Sequence, residues 1–284
     1  MGTAPGGSFG RAVIVAAALL VPLSSLAHPV AVTHWEGLAH GFVTLRTLDG
    51  TPLADGDLIQ TTVPTSSGNR VTSRLVLHFK DGSTHEETTV YVQQKTFRLV
   101  SNHVVQEGPA FKMPIESTVT ASGQVKVRYT DEDGKENRIE ERLKLPGDIA
   151  NGMILTLLKN ISPRTTKTTV SLVAITPKPR LVNLELIPAG EEPFSIASSA
   201  RKATHYVVKV HLTGVTGAIG SLLGKTPPDS HVWVVSGEAP AFVKAEMPLF
   251  LDGPIWRIEL VSPVWPSAPE SPTTKESNEA KDSK

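Results

Sequence analysis

The chain has 284 residues, with 28 basic and 28 acidic side chains and no cysteine. This balance argues against nucleic-acid binding, which needs a basic surface that displaces counterions. The lack of cysteine excludes disulfides, thiolate metal sites and a cysteine-linked lipid anchor. Hydrophobic residues make up 39% of the chain, which is enough for a sizeable packed core.

The first segment has the pattern of an export signal. Arg11 precedes an uncharged apolar run from Ala12 to Val21, and Ser25 and Ala27 occupy the small-x-small positions. This pattern predicts a cleavable signal peptide over residues 1–27 and a periplasmic or secreted protein. The apolar run is half of the roughly 20 residues that span a bilayer, so no stable transmembrane anchor is expected.

The rest of the chain divides into a β-rich part and a polar tail. Residues 28–265 predict a single β-rich domain, in which residues 28–57 are either an integral part or a separate N-terminal extension. Residues 266–284 consist mainly of proline, serine, threonine and mixed charges. Such a segment buries too little apolar surface to offset its ordering entropy, so a disordered tail is predicted.

The dominant hydrophobic period is two. Between Arg70 and Lys80, apolar side chains that include Leu75 and Leu77 alternate with polar ones, which is typical of a half-buried strand. Asp81-Gly82 then predicts a two-residue type I′ hairpin turn before a returning strand.

The same alternation recurs along the chain. It includes Val127 and Tyr129, and it returns in residues 168–174, 180–188 and 203–212. Short polar connections favour an antiparallel meander with one apolar and one wet face. The fold class expected is mostly β, with a curved antiparallel sheet in the form of a half-barrel.

One segment predicts a helix that covers the apolar face. From Asp148 to Lys159 the side chains, including Met153 and Leu157, are apolar almost all round, with Asp148 as the predicted N-cap. We expect this helix to pack on the concave face of the sheet. It is either a plain core helix or a helix that borders a ligand cavity.

A glycine-spaced apolar segment occupies residues 214–224. Its spacing does not match a phosphate-binding loop. It is either an irregular loop that covers the core or a lid whose Ile219, Leu222 and Leu223 reach a cavity or a lipid.

The closing block carries a resemblance. It comprises residues 229–235, 239–246 and 253–260, and it resembles the final strands of uncharacterised exported β-rich proteins. Those proteins are similar to the periplasmic lipoprotein-carrier superfamily. The resemblance implies a half-barrel whose apolar concavity is filled by helices. The outer-membrane receptor of that superfamily is a lipoprotein, whereas this chain lacks the required cysteine.

Catalytic and metal signatures are absent from the sequence. The nine histidines are scattered, and neither His-Glu-x-x-His nor Gly-x-Ser-x-Gly occurs. No metal site, cofactor or catalytic residue is therefore predicted. One alternative depends on cleavage after Ala27, which leaves His28 as a terminal amine able to chelate copper; this resembles the site of oxidative polysaccharide-cleaving enzymes. Arg138 and Glu140 belong to a charged ladder that indicates ion pairing on a wet face.

The function predicted is that of an exported, non-catalytic binding protein with an apolar pocket, acting as a lipid or lipoprotein carrier. The alternatives are an envelope scaffold or interaction module with a filled core and, with less support, a copper or hydrolytic enzyme. The expected partners are an apolar ligand or lipid, or an envelope protein. The predicted ligand-binding residues are Leu75, Leu77, Val127, Tyr129, Met153, Leu157, Ile219, Leu222 and Leu223.

Overall fold

A computed structural model describes residue 2 and residues 29–176, 178–196, 199–211 and 227–264. The predicted signal peptide, apart from residue 2, the glycine-spaced segment 214–224 and the predicted disordered tail 266–284 lie outside the described residues.

Within the described residues the chain forms fourteen strands and one short helix. The strands are β1 Ala39–Arg46, β2 Pro52–Thr65, β3 Gly68–Phe79, β4 Thr84–Gln93, β5 Phe97–Glu107, β6 Ile115–Thr120, β7 Gln124–Thr130, β8 Glu136–Arg142, β9 Thr168–Ala174, β10 Arg180–Ile196, β11 Ser199–His211, β12 Ser230–Val235, β13 Ala241–Met247 and β14 Trp256–Val264. The helix, α1 Ile154–Leu158, lies between β8 and β9.

All fourteen strands belong to one antiparallel sheet in the order β8-β7-β6-β5-β4-β3-β2-β1-β14-β13-β12-β11-β10-β9. Two meanders, β1 to β8 and β9 to β14, are joined at the centre, where β1 pairs with β14. Residues 39–46 are thus inside the sheet, between β2 and β14. The sheet is curved and, among the described strands, unclosed, which confirms the predicted mostly-β half-barrel class.

The core lies on the concave side of this sheet. Leu45 of β1, Val71 of β3 and Leu186 of β10 are fully buried there and belong to one cluster with Leu158 of α1. Alternate side chains of each strand point to the same face, so two distant meanders supply a common apolar surface that α1 covers.

The hairpin between β3 and β4 has a different turn from the one predicted. A type I′ turn needs a positive φ at both central residues. Gly82 has φ 86°, whereas Asp81 is not among the described residues with positive φ. The Gly82 N–H donates to the Phe79 carbonyl, and Asp81 Oδ1 accepts from the Ser83 N–H at 2.9 Å. Asp81 therefore stabilises the turn through its side chain rather than through a left-handed backbone.

The predicted helix from Asp148 to Lys159 was wrong in its bounds. The helix begins only at Ile154, and its N-cap, Met153, makes no side-chain capping hydrogen bond. Asp148 instead accepts from Ser171 Oγ at 3.0 Å, and Gly152 has φ 66°. A left-handed residue cannot continue an α-helix, so the segment before it is free to pair with β9. The described residues contain no helix with the length and hydropathy needed to cross a bilayer.

The two edges of the sheet differ. The outer edge of β9 is covered by residues 148–151: Ala150 N–H donates to the Ser171 carbonyl at 2.8 Å, and Asn151 exchanges two hydrogen bonds with the backbone of Val173. The Asn151 side-chain amide thus makes the two hydrogen bonds that a backbone peptide group of a neighbouring strand would make. The edge strand β8 pairs with β7 and, within the described residues, with no other strand.

Candidate functional site

Four of the predicted ligand-binding residues lie on strands. Leu77 and Val127 are buried in the concave core, and Leu75 and Tyr129 are partly buried against it. They come from β3 and β7, which are separated by three strands in the sheet. The structure therefore places them in one packed cluster, and their role in ligand binding stays a prediction.

The other predicted residues belong to α1 or to the glycine-spaced segment. Met153 and Leu157 are 1% and 2% exposed and pack in the same core. Ile219, Leu222 and Leu223 lie outside the described residues.

A cavity of about 340 Å³ opens where α1 ends, and we call it the helix-end cleft. None of the predicted ligand-binding residues that the structure describes lines it. Its walls come from parts of the chain that are far apart in sequence: Thr33 and His34, residues 158–163, Tyr206 of β11, Val234 of β12, and Ser236, Gly237 and Pro240 of the connection to β13.

Asn160 attaches the N-terminal segment to one wall of the cleft. Its Oδ1 accepts from the Thr33 N–H at 2.9 Å and from the His34 N–H at 2.7 Å. Its Nδ2 donates to the Thr156 carbonyl at 3.0 Å, one of the carbonyl groups left free at the end of α1. One amide side chain therefore positions two sides of the cleft.

The charge of Lys159 is neutralised beside the cleft. Lys159 Nζ lies 2.5 Å from Glu36 Oε1, and the two side chains are 12% and 10% exposed. Gln60 Nε2 donates to the second oxygen of Glu36 at 2.9 Å, and Gln93 Nε2 donates to the Glu36 carbonyl at 2.7 Å. The carboxylate is thus held by Lys159 and by Gln60 of β2, while Gln93 of β4 holds the Glu36 backbone, and the charges of Lys159 and Glu36 offset each other beside the cleft.

Two buried tyrosines complete this region. Tyr206 donates from its hydroxyl to the Ile161 carbonyl at 2.7 Å, and burial raises its pKa to about 12. Desolvation and the nearby Glu36 carboxylate raise the pKa of Tyr91 as well. Neither phenol is suited to giving up a proton near neutral pH. Both hydroxyl groups therefore serve to hold neighbouring groups by hydrogen bonds rather than to act as acids.

The concave face of β4 is polar, which the sequence reasoning missed. His85 and Thr89 are buried there, with Glu87 between them. The alternation of apolar and polar residues, taken alone, would turn Val90 and Val92 inward. The signal was the hairpin register, because His85 pairs directly with the inward-facing Leu77 and must share its face.

Burial perturbs two of these polar groups. Desolvation lowers the pKa of His85 to about 4 and raises the pKa of Glu87. Asn102 Nδ2 donates to Glu87 Oε1 at 2.8 Å. Gln106 Nε2 lies 3.0 Å from His85 Nδ1, while His85 Nε2 has no hydrogen-bond partner among the described residues.

The convex face carries a second cavity, of about 380 Å³, over β2 to β5. Its lining is charged and includes Arg74, which donates two hydrogen bonds to Glu86. These side chains are between one third and one half exposed, so solvent screens their interaction. These features are typical of the solvent-exposed face of a sheet.

A pair of histidines lies on the convex face of β11 and β12. His205 Nε2 is 2.9 Å from His231 Nδ1, and the His205 ring stacks on Trp233 with centroids 4.5 Å apart. Glu192 lies 3.1 Å from the other His205 nitrogen. No group of three or more His, Asp or Glu residues in the described part of the chain has the geometry to hold a metal ion.

Comparison with known proteins gives distant structural likeness at low sequence identity. No family model and no curated protein matches the chain. A solved structure that is similar is the β-barrel-like protein of domain of unknown function DUF1849 from Brucella abortus. The alignment covers 81% of this chain and 98% of that one, with 10% identity and a TM-score of 0.43.

Proposed function

We propose that this protein is an exported, non-catalytic binding protein that carries an apolar or lipid-like ligand in the helix-end cleft. The observation that supports this proposal most directly is the cleft itself. Its volume of about 340 Å³ falls at the lower end of the range of ligand pockets, roughly 300 to 1,000 Å³.

The chemistry of the cleft indicates the class of ligand. Leu158, Ile161 and Val234 line the cleft with apolar side chains that are almost wholly buried. Lys159 is already paired with Glu36, so the described lining of the cleft offers no free ammonium group to an anion. The ligand expected is a neutral molecule, or the neutral part of an amphiphile, with an apolar body.

Native mass spectrometry of the gently purified full chain, together with displacement of a fluorescent fatty acid, tests this proposal. Ser236→Trp places an indole at the mouth of the cleft and should weaken ligand binding at least tenfold. Ser122→Trp, at the exposed turn between β6 and β7, is the matched control and should bind as the natural chain does. If Ser236→Trp leaves the affinity unchanged, the ligand does not occupy this cleft.

A second candidate function is an envelope scaffold with a filled interior. The observation that favours it is the dense packing of Leu77, Val127, Met153 and Leu157 in the concave core. In that case no lipid co-purifies, no fatty acid binds, and a crosslinked protein partner is lost when charges on the convex face are reversed.

A further inference from the structure

The outer edge strand of the described sheet, β8, has a charge pattern that is complementary to itself. β8 reads Glu136-Asn137-Arg138-Ile139-Glu140-Glu141-Arg142. If two copies of this strand pair antiparallel with Ile139 opposite Ile139, then Arg138 faces Glu140 and Glu136 faces Arg142. By symmetry each of these pairs occurs twice.

We propose that two copies of this chain associate through the outer edges of their β8 strands, with a two-fold axis at Ile139. The two sheets become continuous, and the interface is isologous, as in most homodimers. This proposal concerns a surface away from the helix-end cleft and does not depend on the proposed function.

The first argument is the state of the edge. An exposed strand edge presents unpaired backbone N–H and C=O groups and is a template for a further strand. The other edge, β9, is covered by residues 148–151. Among the described residues, β8 has no such cover on its outer side.

The second argument is that the residue opposite Arg138 on β7 is a like charge rather than a carboxylate, so that its pairing within the chain is with Glu136 of its own strand. Arg138 stands directly opposite Arg128 of β7, and Arg128 is bound to Glu116 at 2.6 Å. Arg138 contacts only Glu136 of its own strand among the described carboxylates, at 2.7 Å, and remains 76% exposed. Directly opposed like charges destabilise a sheet, whereas opposed unlike charges stabilise it. A second copy places a carboxylate, its Glu140, opposite Arg138; within its own chain that carboxylate lies 3.4 Å from Lys126 and is 68% exposed.

The third argument is the distribution of polarity across the strand. Arg138, Glu140 and Arg142 share one face, and Glu140 is 68% exposed. Ile139 lies on the opposite face, against the concave core. In this register the paired strands therefore form four ion pairs on the solvent-exposed face. On the concave face the same register brings the two Ile139 side chains into contact.

The charges also explain why the edge selects its own copy. Charged edge strands resist indiscriminate pairing, because a shifted register or a foreign strand opposes like charges. A seven-residue strand pair is small compared with specific interfaces, which bury about 1,200–2,000 Å². The dimer is therefore expected to dissociate at roughly micromolar concentrations and to weaken in high salt.

Sedimentation velocity of the full chain over a concentration series tests the proposal. The natural chain should show a reversible monomer–dimer equilibrium. Arg138→Glu and Glu140→Arg should each weaken dimerisation at least tenfold, because either change opposes like charges twice across the axis.

Two rescue experiments separate pairing from misfolding. The double variant Arg138→Glu with Glu140→Arg restores every opposed pair and should dimerise again. An equimolar mixture of the two single variants should form a heterodimer, since one copy then carries two acids where the other carries two bases. Lys95→Glu, an exposed charge reversal in the β4–β5 turn, should have no effect.

The outcomes that overturn the proposal are distinct from those that bear on ligand binding. A natural chain that stays monomeric at every concentration shows that β8 does not bind a second copy. A dimer that persists in both single variants uses another surface. Neither result affects the fatty-acid displacement assay.

Discussion

The buried histidine of β4 makes the stability of this protein sensitive to mild acid. His85 is 3% exposed, and desolvation lowers its pKa to about 4, whereas an unfolded chain has a histidine pKa of about 6.5. Between these two values the unfolded state binds a proton that the folded state does not. Stability is therefore lost as the pH falls from about 6.5 towards 4.

The magnitude follows from the difference between the two pKa values. Each pH unit below 6.5 costs about 1.4 kcal/mol, until the folded state also takes up the proton. From pH 7.5 to pH 5.0 the free energy of unfolding should fall by about 2 kcal/mol because of this one side chain. Burial raises the pKa of Glu87, which acts in the opposite direction in acid.

His85→Gln isolates the contribution of the histidine. Glutamine cannot take up a proton in this range, so the variant should lose about 2 kcal/mol less than the natural chain between pH 7.5 and pH 5.0. Glu87 is present in both proteins, so its effect cancels in the comparison to first order. Urea unfolding followed by tryptophan fluorescence at the two pH values measures the difference. His78→Gln, on the exposed side of β3, is the matched control for loss of a histidine.

An equal loss of stability in the natural chain and in His85→Gln would refute the reasoning. It would mean that the imidazole is hydrated, or protonated, inside the folded protein. The Nε2 atom, which has no partner among the described residues, would then bind a water or a carboxylate.

Two further predictions concern backbone geometry and buried charge. Gly152→Ala should destabilise the fold by more than the 1–3 kcal/mol typical of a left-handed non-glycine residue, because the new Cβ would lie 1.9 Å from Thr89 Oγ1. Gly134→Ala has a similar positive φ but open space around it, so thermal denaturation should show the smaller strain cost alone. Lys159→Met leaves the Glu36 carboxylate buried without its cation and should cost about 3–5 kcal/mol in urea unfolding. Adding Glu36→Gln should recover part of that loss; a double variant as unstable as the single one would show that the ion pair itself is not what stabilises this wall of the cleft.

Strand positions could be predicted from the sequence, because the alternation of apolar and polar residues depends only on which face of a strand is exposed to solvent. Residues 168–174 coincide with β9, and the alternation from Arg70 to Lys80 follows β3 to one residue past its end at Phe79. Short polar connections favoured antiparallel neighbours, and each meander follows that rule.

The helix and the polar face of β4 were harder to predict, because local pattern competes there with tertiary pairing. Apolar residues around Met153 indicated a longer helix, but Gly152 and the pairing of Ile149 with Ser171 shorten it to five residues. In β4 the register with β3 turns His85 inward although the valines of the strand are the more apolar choice. The preference of valine over histidine for a buried position is overridden here, because the partner strand sets the register of the whole hairpin.

The helix-end cleft could not be derived from sequence. Its walls include Thr33, Lys159, Tyr206 and Ser236, which no local motif connects. Such residues become neighbours only after the N-terminal segment, α1 and the second meander have packed together.

The sequence by itself determined an antiparallel β protein with one apolar face, since hydrophobic alternation and turn residues act over a few positions. The tertiary structure alone decided that β1 pairs with β14 at the centre, that residues 148–151 cover one edge and that β8 is left at the other. The physical reason is that backbone hydrogen bonding between strands carries little sequence information. Partner choice therefore follows from how two complete meanders bury a common core.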